Sequence, residues 1–143
     1  MPKLISKEKR QARIIALQVV YAHELKGSNL DETCKFMVDS GKLPKKDVIN
    51  YGKQLSNLVI THTDETNKLI QDRSQNWDFD RITLIDKLTL KMALVEMIYI
   101  DEVPPKVSIA EGVEIAKEFS TEDSSSFING ILDSVYNEMI LKK

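Results

Sequence analysis

From about residue 7 onward the apolar side chains recur three and four residues apart, and nowhere do they alternate with polar ones over a useful length. That period lays them along one side of a helix, whereas a half-buried strand needs every second residue apolar. The chain therefore reads as all-α. Only five glycines and four prolines interrupt it, so long helices are permitted almost throughout. A chain of 143 residues has the length of one ordinary domain and can fold without covalent staples.

Capping residues divide this pattern into helices. The first runs from about Lys7 to Lys26, with Ser6 as its cap and Gly27 as its left-handed exit. Ala12, Ile15, Ala16, Val19 and Val20 form its inner face. Lys9, Arg10 and Arg13 lie three and four apart and are expected to share its exposed face. A second helix follows Asn29, with Glu32 as capping-box partner, and ends near Ser40-Gly41. Pro44 opens the third, which breaks near Thr63-Asp64 before a shorter helix through Leu69 and Ile70. Asn76-Trp77-Asp78-Phe79-Asp80 reads as a packed connection. Asp80 or Thr83 then starts a strongly apolar helix through Leu84, Leu88, Met92, Val95 and Tyr99. It stops before Val103-Pro104-Pro105, since proline disfavours helix in the residue before it. Ser108 is expected to cap the next helix, with Ile109, Val113, Ala116 and Phe119 inward. Thr121 or Ser124 starts the last, whose stripe is Phe127, Ile131, Val135 and Met139, flanked by Ile128, Leu132 and Tyr136.

The chemistry-bearing residues do not assemble into a catalytic pattern. His23 and His62 have no His or Cys neighbour at metal-ligand spacing. Acidic pairs such as Asp78/Asp80 and Glu122/Asp123 suit helix starts better than a cation cage. Ser124-Ser125-Ser126 lacks the strand-to-helix elbow of a nucleophile and fits a helix N-terminus. No glycine-rich phosphate loop occurs. We expect no enzyme activity, no metal and no cofactor. The lone Cys34 cannot form an internal disulfide, the first ten residues lack the apolar core of a signal peptide, and no apolar run reaches membrane-spanning length. These features fit a cytoplasmic protein with no membrane partner.

Net charge is −2, yet it is unevenly placed. The first twenty residues carry Lys3, Lys7, Lys9, Arg10 and Arg13 against Glu8 alone, and the rest of the chain is acidic. A basic end on an acidic body steers one surface toward phosphates. Arginine suits RNA because its planar fork binds phosphate and stacks on bases.

Several segments together resemble the NusB family (N-utilisation substance B). They are Ala12-Arg13-x-x-Ala16-Leu17-Gln18-x-x-Tyr21-x-x-Glu24, Asp86-Lys87-x-x-Leu90-Lys91-Met92-Ala93-x-x-Glu96-Met97, and Val103-Pro104-x-Lys106-Val107-x-Ile109-x-Glu111-x-x-Glu114-Ile115-Ala116-Lys117-x-Phe119. The last runs on into Phe127-Ile128-Asn129-Gly130-Ile131-Leu132-Asp133. The resemblance spans roughly residues 7–136. It implies two packed helical bundles of about seven helices forming one compact domain over residues 1–143, with 1–6 a mobile basic tail. It implies an antitermination factor that binds the single-stranded boxA element of nascent ribosomal RNA together with NusE, a small-subunit ribosomal protein, within an RNA polymerase complex. Lys3, Lys7, Lys9, Arg10 and Arg13 would form the RNA surface, with Asp123 and Phe127 at its edge and Tyr21 and Asp86 toward the partner. The resemblance also allows a homodimer, which could hide the partner surface.

Departures from the family pattern are also visible. Gln11 interrupts the basic run, Lys9 and Lys91 stand where arginine is common, Ser120 replaces a usual glycine, and Ser126 replaces a common basic residue. A protein–protein adaptor without significant RNA affinity is the alternative reading. Two features are expected to be structural. Glu96 lies on an apolar helix and needs a partner such as Lys106 or a backbone N–H. Asn129-Gly130 inside a helix suggests close helix approach at Gly130 and a buried hydrogen bond from Asn129.

Overall fold

The computed structural model describes residues 4–27, 45–74 and 82–141. The expected second helix, the opening role of Pro44, the connection 76–80, Lys3 and Cys34 lie outside the described residues. The described residues form six α-helices and no strand: α1 (Ser6–Lys26), α2 (Lys46–Thr61), α3 (Thr63–Arg73), α4 (Leu84–Tyr99), α5 (Pro105–Phe119) and α6 (Glu122–Val135). A π-helical turn, Tyr136–Leu141, continues α6. The chain divides into two compact units, Met1–Thr61 and His62–Lys143. Among the described residues no helix is long and apolar enough to cross a membrane.

In the first unit α1 starts one residue earlier than the sequence suggests. Ser6 is already helical and Ile5 is the cap, its N–H donating to Glu8 Oε1 at 3.1 Å. Leu4 packs against the unit's core, so the expected tail is anchored from this residue on. Gly27 ends the helix at φ 66°, and its N–H donates to His23 O at 2.8 Å. Ala12, Ile15 and Val19 of α1 meet Val48 of α2. The two helices come closest at Gly52, where an added Cβ would lie 3.1 Å from Ala12 O and 3.2 Å from Ile15 Cγ2.

The second unit is arranged around α4, which is buried on every face from Leu88 to Met97. A helix buried all round must satisfy whatever polar side chains it carries. Glu96, 1% exposed, accepts a hydrogen bond from Ser108 Oγ at 2.8 Å. Buried Lys91 donates to Thr63 Oγ1. Ser108 is therefore not a cap. Pro104 and Pro105 start α5 four residues sooner, which carries Ser108 inside the helix and onto Glu96. The inner face of α5 shifts accordingly to Ile109, Gly112, Ile115 and Ala116, while Val113 is half-buried and Phe119 exposed. Gly112 is the close-approach glycine of this unit, with an added Cβ 3.1 Å from Ala93 Cβ. Gly130, by contrast, is exposed with nothing within 4 Å, and Asn129 is exposed, so neither expectation for that pair holds.

On α6, Ile128, Ile131, Leu132 and Val135 are buried, and Phe127 and Met139 are half-buried. Arg73 of α3 holds the π-helical turn through Glu138 Oε2 at 2.5 Å. Tyr99 ties α4 to α3, its hydroxyl donating to the Glu65 carboxylate at 2.7 Å and its ring stacked on His62. Burial, followed by the Glu65 carboxylate, pushes the Tyr99 hydroxyl up to about 12.

Candidate nucleic-acid interface

The basic residues of α1 separate into two groups. Lys7 and Arg10 are exposed and Lys9 is half-buried, at the first turns of the helix. Arg13 is 2% exposed. The expectation that it shares the exposed face fails, because Arg13, Leu17 and Val20 stand four and three residues apart on a buried stripe.

Glu8 is the one carboxylate in the first turns of α1. One oxygen accepts the Ile5 N–H, and the other lies 3.1 Å from Lys45 Nζ. The Ile5 hydrogen bond first, and Lys45 second, hold the Glu8 carboxyl below its usual range. Glu8 is thus occupied by the helix start and by Lys45, a cation from just before α2. Lys45 was not singled out from the sequence. Its side chain is 77% exposed, so it adds positive charge beside Lys7, Lys9 and Arg10. Its one sequence signal was the Lys45-Lys46 pair after Pro44, and only the packing of α2 on α1 gives that pair a location.

Further along α1, Tyr21 is 38% and Leu25 58% exposed. They stand four residues apart, so one face of the helix offers two adjacent apolar side chains to solvent. Leu25 too had escaped notice in the sequence.

In the second unit, Asp123 is exposed in the first turn of α6. Thr121 caps that helix, its Oγ1 accepting the Ser124 N–H at 3.0 Å. Asp86 is only 5% exposed, and its Oδ2 accepts Ser124 Oγ at 2.7 Å. Asp86 and the turn bearing Asp123 are therefore brought together, with Ser124 between them.

Taken together these features define an all-α domain with a cationic helix tip, an exposed apolar pair on the same helix, and no converging group of three or more metal-ligating side chains among the described residues. The NusB family model matches residues 10–137, and the chain belongs to the NusB family. It is 39% identical over 131 residues to the transcription antitermination protein NusB of Chloroherpeton thalassium (strain ATCC 35110 / GB-78), a match covering 92% of this chain and 62% of that relative. The chain thus spans less than two-thirds of that relative's length. Its fold superposes on a chain in the crystal structure of a plectonemic RNA supercoil with a TM-score of 0.85 and 26% identity, covering 95% of this chain and 99% of the other. A second structure, of the antitermination factors NusB and NusE in complex with double-stranded RNA, matches at a TM-score of 0.81 and 25% identity, covering 93% and 98%.

Proposed function

We propose that this chain is an RNA-binding transcription antitermination factor of the cytoplasm, without catalytic activity. It binds boxA-like single-stranded RNA of ribosomal RNA operons together with NusE, within the RNA polymerase antitermination complex. Residues 1–143 act as one NusB-like domain. The observation that carries this reading is the cationic tip of Lys7, Lys9, Arg10 and Lys45, where Glu8 is engaged by the Ile5 N–H and by Lys45. The solved NusB–NusE–RNA complex supports the choice of partners.

Lys7, Lys9, Arg10 and Lys45 act as phosphate contacts, with Lys3 preceding them. In the second unit, Asp123 and Phe127 act as further RNA contacts. Arg13 acts from inside the unit, holding the helix rather than touching phosphate. Tyr21 and Leu25 form the protein-facing patch, and Asp86 contributes by holding α6.

The test is titration of a boxA-like RNA oligonucleotide at two salt concentrations, with and without purified NusE. Affinity should fall steeply with salt, each phosphate contact contributing a slope of about 0.7 on single strands. The exposed Tyr21 and Leu25 pair also favours a second reading, an adaptor that binds NusE alone. That reading predicts tight partner binding with negligible, salt-insensitive RNA affinity.

A further inference from the structure

We propose that Ser124 and Asp86 are positioning residues for RNA binding, clasping the start of α6 to the start of α4. The proposal rests on the RNA-binding reading above and assigns neither residue a direct contact with RNA.

The two helix starts are built alike. Thr83 caps α4 by accepting the Asp86 N–H at 3.3 Å, and Thr121 caps α6 by accepting the Ser124 N–H at 3.0 Å. Asp86 and Ser124 are each the third residue of their helix, and their side chains meet across the gap at 2.7 Å. Each helix offers its positive end there, which suits the Asp86 carboxylate.

Ser124 Oγ is fully used. Its single proton goes to Asp86 Oδ2, while it accepts the Ser120 hydroxyl at 3.1 Å and the Thr121 hydroxyl at 3.0 Å. The hydroxyls therefore all point one way, toward a buried carboxylate, and such a chain is mutually polarising.

The clasp acts on a short stretch. From Ile128 on, α6 is held by core burial that needs no hydrogen bond from Ser124. The first turn, which carries Asp123 and leads to Phe127, sits between exposed Glu122 and exposed Ser126. Within that turn Ser125 is buried and its Oγ donates to Glu122 O at 2.7 Å, and Phe127 packs on the core, so the clasp is what ties the turn carrying Asp123 to α4.

The experiment compares wild type, Ser124→Ala, Ser124→Thr and Asp86→Asn, full-length and with NusE, in titrations of a boxA-like RNA oligonucleotide at two salt concentrations. Losing a hydrogen bond to a charged group should weaken Ser124→Ala about tenfold with the salt slope unchanged, since no phosphate contact is removed. Ser124→Thr keeps the hydroxyl and should bind like wild type. Asp86→Asn keeps an acceptor without the charge and should lose about threefold. Amide exchange at Ser124 and Ser125, whose N–H groups donate to Thr121, should quicken in Ser124→Ala while residues 128–135 stay protected, which separates a loosened turn from a destabilised fold. Wild-type affinity in Ser124→Ala, or a loss that Ser124→Thr fails to restore, overturns the proposal. Wild-type protein that binds no RNA overturns the functional reading and the proposal with it.

Discussion

The starts of α1 and α6 both carry residues assigned to RNA, and they are built on opposite plans. At α1 the cap comes from a carboxylate, Glu8, which also draws Lys45 alongside Lys7, Lys9 and Arg10. Positive charge is gathered there in exposed side chains. At α6 the cap is a hydroxyl, Thr121, and the first turn is tied through Ser124 to buried Asp86. The difference teaches that one helix start supplies charge and the other supplies geometry. Screening by salt should act on the first and hardly touch the second.

The sharpest way to break this contrast lies within α1 itself. Arg13→Ala should cost about 2–4 kcal/mol in a denaturant melt, because removing a buried charge strands whatever it satisfied. Arg10→Ala at the exposed tip should leave the same melt almost unchanged. Equal stabilities would dissolve the distinction between structural and phosphate-facing cations.

A smaller effect is expected from the tip alone. Lys7→Ala combined with Arg10→Ala should lower RNA affinity by about tenfold and reduce the salt slope by ~1.4, two phosphate contacts' worth. Helicity by circular dichroism should not change. An affinity loss with an unaltered slope would move these residues from charge to geometry.

Thr121→Ala tests the other helix start. Loss of a threonine cap costs about 1 kcal/mol. Thermal melts should therefore shift down by ~3 °C, with a comparable slope of RNA affinity against salt. A changed slope would mean that the α6 start contributes charge after all.

The smallest effect concerns pH. Glu8 is held below its usual range by the Ile5 N–H and then by Lys45. A carboxyl lowered in the folded state contributes stability above its unfolded value, and that contribution disappears as pH falls through the folded value. Glu8→Gln should slightly lower stability at neutral pH and converge with wild type well below pH 4.5, so that the acid side of the stability profile flattens. An unchanged acid limb would contradict the capping role.

Much of this architecture is legible in the sequence because helices announce themselves by period. The boundaries at Gly27, Thr83 and Thr121 follow from residues with local reasons to sit at helix ends. What escaped is tertiary. Asn129-Gly130 draws attention as a pair, yet the close approaches occur at Gly52 and Gly112, and only the meeting of helices reveals which glycine faces a neighbour. Glu96 reads as buried from its apolar surroundings, but its partner Ser108 was hidden by its resemblance to a cap. Arg13 follows period rather than charge, for it lies on the buried stripe of Leu17 and Val20. Lys45 belongs to the tip only because α2 packs against α1, which no local pattern encodes.

The most direct measurement is the slope of log affinity against log salt for the boxA-like oligonucleotide, taken on the wild-type chain with NusE bound. Four cations, Lys7, Lys9 and Arg10 on α1 with Lys45 beside them, predict a slope near −3, each contact adding about 0.7. A slope near zero, with binding intact, would contradict the claim that this helix start is where the protein holds its RNA.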